Sequence, residues 1–126
     1  MNRLLILPVL LLTLLVGNPA FSADFQKGVD AYDRRDYATA LREWKPLAEQ
    51  GNADAQNNLG VIYNNGWGVL LDFVRAHMWF NIAATSGDSK YAYKYRDIVA
   101  KRMNSAQISE AHKLVRECIR KKYKGC

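Results

Sequence analysis

A chain of 126 residues that is 49% hydrophobic and 24% charged suits one small folded domain and excludes a disordered one. Its formal charge of +6 would point to nucleic acid in a cytosolic protein. The first residues argue against that substrate, because they read as an export signal. Asn2 and Arg3 make a positive start, Leu4 to Val16 is apolar apart from Pro8 and Thr13, and Gly17-Asn18-Pro19 breaks any helix. Ala20-Phe21-Ser22 then offers small residues at the spacing a signal peptidase reads. The apolar run is shorter than the roughly 20 residues a bilayer span needs. The expectation is a cleaved signal over residues 1–22, nicked after Ser22 or, as second choice, after Ala23, with a mature domain over 23–126 that is periplasmic or secreted. An uncleaved anchor is the alternative.

The remaining charge is uneven. Ala23 to Gly87 carries six basic and eight acidic residues, whereas Asp88 to Cys126 carries eleven basic and four acidic. The last third is therefore the basic part, either a solvated face or a surface for an anionic membrane or an acidic partner.

In chain order, helix-period apolar spacing predicts helices over 25–34, 37–50, 53–64, 72–86 and 89–103, and a last one after Asn104 or Ser105 that ends near Lys122. The first four form a repeat. Asp36-Tyr37-x-x-Ala40 recurs as Asp72-Phe73-x-x-Ala76, and Leu47-Ala48-x-x-Gly51 as Ala83-Ala84-x-x-Gly87, both at an offset of 36. Upstream, Ala31-Tyr32 matches Ile62-Tyr63 at an offset of 31, which assigns five extra residues to the turn around Asn64 to Val69. Asp36 and Asp72 stand where helix N-caps belong, and Gly51 and Gly87 where left-handed helix ends belong. The units are thus expected over 25–51 and 53–87, with a capping helix pair over 89–122 whose buried face carries Tyr91, Ala92, Tyr95, Ile98 and Val99. Pro46 lies inside the second helix and should kink or split it.

The pattern Ala53-x-Ala55-x-x-x-Leu59-Gly60-x-x-Tyr63-x-x-Gly66-x-Gly68-Val69-x-x-Asp72-x-x-x-Ala76-x-x-Trp79-x-x-x-Ala83-Ala84-x-x-Gly87 closely resembles the Sel-one-like repeat family, the longer-turned relative of tetratricopeptide repeats. The resemblance implies an all-α fold, a short right-handed α-solenoid of about six helices in three pairs. It also implies protein–protein adaptor work in the cell envelope. The first helix of each pair should line a concave face, where Gln56, Asn57, Asn64 and Asn65 could hydrogen-bond an extended peptide. Where the family has polar residues and often proline after the glycine turn, this chain has Leu70 and Leu71, with Trp67 inside the turn. These three either tuck under a neighbouring helix or form a partner-binding patch.

Cys118 and Cys126, the two cysteines, are expected to pair in an oxidising compartment. A straight helix would hold them about 12 Å apart, so the chain must turn back after the helix end. Some secreted members of the family carry similar close pairs. His77 and His112 fall on different helices, no zinc spacing is recognisable, and no strained serine turn is present, so no catalytic residue, cofactor or metal is expected. The resulting expectation is a non-catalytic adaptor binding another envelope protein or peptide, with no nucleic acid and with self-association open. The alternatives are attachment to the envelope or a membrane surface through Lys113, Arg116, Arg120, Lys121, Lys122 and Lys124, or the weak β-lactam hydrolysis linked to some cysteine-rich relatives.

Overall fold

Five of the helices start on a side chain that accepts a hydrogen bond from the backbone N–H three residues on. The pairs are Asp24 with Lys27, Asp36 with Thr39, Asn52 with Ala55, Asp72 with Arg75 and Asn104 with Gln107. Each satisfies a donor the helix itself cannot, worth about 1 kcal/mol. In the computed structural model, which describes residues 22–86 and 89–126, these caps open α1 (Phe25–Asp33), α2 (Tyr37–Glu49), α3 (Ala53–Asn65), α4 (Phe73–Thr85) and α6 (Ser105–Arg120). The exception is α5 (Ala92–Ala100), which has no side-chain cap and is shorter at both ends than its apolar spacing predicts. Among the described residues there is no strand, so the domain is an all-α helical repeat. The export signal expected over residues 1–22 falls, apart from Ser22, outside the described residues, and so does Gly87.

Gly51 and Gly66 close α2 and α3 in left-handed conformations, at φ of +93° and +65°. Helix α2 runs unbroken through Pro46, without the split that the sequence left open. The carbonyl deprived of its partner belongs to Arg42, an exposed residue, so water can satisfy it.

Helices α1 and α2 pack as one hairpin and α3 and α4 as another, with α2 joining them to α3. The two hairpins share one contact type. The Trp44 ring lies against the backbone of Gly28, and the Phe80 ring against that of Gly60, so that a methyl group at either glycine would overlap the ring. Trp44 and Phe80 are 36 residues apart, but Gly28 and Gly60 are 32 apart. The first helices therefore repeat at 32, not 31, and the turn after α3 is longer by four residues rather than five. The connections agree: residues 34–36 join α1 to α2 and residues 66–72 join α3 to α4.

Helix α4 is apolar on nearly every side, with Ala76, Met78, Trp79, Phe80, Ile82, Ala83 and Ala84 all buried. Such a helix must be covered all round. Helices α3, α5 and α6 supply the cover. Helices α5 and α6 both pack on α4. Helix α6 points its C-terminal end toward the start of α4, with Glu117 and Lys121 beside Arg75 and His112 beside His77.

Two further features fix the ends. Glu43 occupies the position equivalent to Trp79 and is only 1% exposed. Its carboxylate accepts from the Asp24 N–H at 3.0 Å and lies 3.5 Å from Lys27 Nζ, which ties the shorter α1 down. After α6, Lys122 and Tyr123 take positive φ, the Tyr123 N–H donates to the Cys118 carbonyl at 2.9 Å, and the chain folds back. Cys118 and Cys126 form a disulfide with Cα atoms 5.6 Å apart.

Replacing Trp79 with alanine should cost roughly 3–5 kcal/mol, and Gly60→Ala roughly 1–3 kcal/mol by overpacking against Phe80. Urea unfolding measures both. Midpoints within error of the parent protein would contradict this packing.

Candidate functional site

The first helices α1, α3 and α5 lie side by side in front of α2 and α4, with a cleft in each gap. In the first cleft, Val29, Tyr32 and Asp33 of α1 face Asn58 and Val61 of α3 across a floor made by Trp44, enclosing about 260 Å³. In the second, Val61, Asn64 and Asn65 of α3 face Tyr95, Ile98 and Val99 of α5 across a floor made by Phe80, enclosing about 160 Å³. The walls correspond at the offset of 32: Val29 with Val61, Tyr32 with Asn64, Asp33 with Asn65. Val61 belongs to both clefts, so they form one groove with an apolar divider.

Asn64 and Asn65, singled out from the sequence, line this groove. The Asn65 amide donates to the Val61 carbonyl at 2.8 Å. The side-chain oxygens of Asn57 and Asn64 are buried and accept no hydrogen bond among the described residues. Gln56 must be removed from the set. It is 0% exposed, and its Nε2 donates to the Ala48 carbonyl at 3.0 Å, bracing the end of α2.

The turn residues divide. Trp67 stacks on Tyr37, with ring centroids 5.2 Å apart and planes 9° from parallel, and meets Tyr32 edge-on at 5.7 Å. It therefore packs between the two repeats, while its half-buried ring also lines an open cleft with Tyr32, Asp33, Arg35 and Tyr37. Leu70 and Leu71, at 90% and 55% exposed, remain uncovered.

Sequence reasoning missed Asn58, Tyr95 and Ile98. Tyr91, Tyr95 and Ile98 were expected in the core, but all three are exposed, and only Ala92 and Val99 of that set are buried. The available signal was Tyr91-x-Tyr93-x-Tyr95: residues two apart on a helix cannot all face one neighbour. With no further repeat beside it among the described residues, α5 keeps its outer side open.

His77 and His112 do lie on different helices, yet their rings approach to 5.6 Å between centroids. His77 is 3% exposed and its Nδ1 has no partner. Burial, followed by the neighbouring His112, pushes its pKa down to about 4. Cys118 is held in the disulfide and cannot serve as a nucleophile. Among the described residues, no three His, Cys, Asp or Glu side chains gather as metal ligands. Lys113, Arg116, Arg120, Lys121, Lys122 and Lys124 are all exposed on α6 and the tail.

Residues 53–88, which span α3, its turn and α4, match the Sel1 repeat family. No curated protein and no solved structure matches the chain.

His77 generates a pH prediction. Its folded pKa lies below the unfolded value of about 6.5, so the unfolded chain binds the proton more readily. The stability that the neutral ring contributes is complete above about pH 6.5 and is lost as pH falls toward 4. The loss should reach roughly 2–3 kcal/mol. Thermal melts across that window should flatten in His77→Leu; an equally steep profile in the variant would contradict the assignment.

Proposed function

We propose that this protein is a non-catalytic adaptor of the cell envelope that holds an extended segment of a partner protein along the groove formed by α1, α3 and α5. Sel1 repeats are in general protein–protein interaction modules. The observation that carries the reading for this chain is the pair of clefts that adjoin at Val61, with apolar floors at Trp44 and Phe80 and the Asn58, Asn64 and Asn65 side chains in their walls. Apolar anchors in such clefts supply affinity, and the amides fix the register of a peptide backbone. Export rests on the N-terminal sequence over residues 1–22 and on the Cys118–Cys126 disulfide, which is at home in an oxidising compartment.

A photo-crosslinking residue placed at Asn65 or Tyr95 should trap one partner in cells, whereas the same residue at Lys45, on the exposed side of α2, should not. Val61→Arg should reduce that crosslink by roughly tenfold or more and leave the circular dichroism spectrum unchanged. Trapping from Lys45 alone, or a crosslink indifferent to Val61→Arg, would remove the groove as the binding face.

A further inference from the structure

The turn between α3 and α4 presents its leucines on a fixed support. The Trp67 N–H donates to the Ile62 carbonyl at 3.2 Å and the Asp72 N–H to the Tyr63 carbonyl at 3.0 Å. With Trp67 stacked on Tyr37, the turn is pinned at both ends, and among the described residues Leu70 projects at 90% exposed with Leu71 beside it at 55%, a small apolar tip. Asp72 then caps α4. One turn further on, Arg75 lines a shallow cleft with Glu117, Lys121, Gly125 and Cys126 of the C-terminal end. The leucine tip and the basic tail thus share one end of the molecule, and the disulfide holds the tail there.

The charge at that end is strongly one-sided. From Ser105 to Cys126, six Lys and Arg residues face two carboxylates, Glu110 and Glu117. All six cations are exposed, and among the described residues none is in an ion pair. Ile119 is exposed among them. The adjoining cleft is small, about 130 Å³, and its wall carries the charged side chains of Arg75, Glu117 and Lys121. A short exposed apolar tip at the same end as long flexible cations complements a fluid surface that is apolar at depth and anionic at its face.

We propose that this end of the molecule docks on an anionic lipid bilayer, with Leu70 and Leu71 entering the acyl boundary and the tail cations resting on headgroup phosphates. Neither contribution suffices alone, since stable peripheral attachment takes two weak signals acting together. No helix among the described residues is long and apolar enough to cross a membrane, so the attachment is peripheral. Neither leucine and no residue of α6 lines the groove, so a membrane and a groove-bound partner can be held together. The proposal does not rest on the groove reading.

The test is co-sedimentation of the disulfide-intact protein with vesicles of phosphatidylcholine alone, or with about one third phosphatidylglycerol. Binding is expected only to the anionic vesicles, and should fall at least tenfold as salt rises from about 0.05 M to about 0.5 M. Leu70→Ser with Leu71→Ser, and separately Lys121→Gln, Lys122→Gln and Lys124→Gln together, should each weaken it by roughly tenfold. Circular dichroism and intact mass confirm that each variant is folded and bridged. The proposal is overturned if anionic vesicles are not bound, if phosphatidylcholine alone binds as well, or if the leucine variant binds like the parent. Saturable binding of an acidic protein at this end, with vesicles inert, would reassign the surface to a protein and overturn it equally.

Discussion

Trp44 lies flat on the backbone of Gly28, and Phe80 does the same on Gly60. Everything on the front of the molecule follows from this contact being made twice. A ring that approaches backbone without an intervening Cβ brings the second helix of each hairpin close behind the first. The same ring is then wide enough to show between successive first helices. It becomes the floor of a cleft instead of filler between side chains. Because the contact recurs at matched positions, the clefts recur too, and Val61 stands between them.

The back of the molecule obeys a different constraint. In α2 the solvent side carries Arg42 and Lys45 and needs no cover. In α4 the sequence Phe73-Val-Arg-Ala-His-Met-Trp-Phe-Asn-Ile-Ala-Ala-Thr85 leaves almost no polar face, so helices must close over it from several directions. This accounts for α6 lying on α4. The basic side chains of α6 face outward, and its end is bridged back by the disulfide.

What was legible in the sequence was what is decided locally. Asp36 and Asp72 cap helices because the side chain and the N–H it serves are three residues apart. Gly51 ends α2 for reasons internal to one turn. The offset of 36 between Asp36 and Asp72 was visible because both second helices start from the same cap. Properties set by a distant partner were not legible. Ala31-Tyr32 and Ile62-Tyr63 look alike chemically, yet the true correspondence of Val29 with Val61 is fixed by which glycine the ring rests on. Gln56 reads as a surface amide, but a carbonyl at the end of α2 draws it inside. Tyr95 and Ile98 read as core because their spacing is right, but they line the open cleft between α3 and α5. Leu70 and Leu71 could be read either way, and the structure leaves them uncovered.

The aromatic-on-glycine contact is accessible in solution without any partner. In a nuclear Overhauser spectrum of the folded domain, the α protons of Gly28 should show strong cross-peaks to the Trp44 indole, and those of Gly60 to the Phe80 ring. Both sets should be displaced upfield by the ring faces. Glycine α protons at unshifted positions, or a Trp44 indole in contact with residues other than Gly28 and its α1 neighbours, would contradict the repeat register and with it the groove.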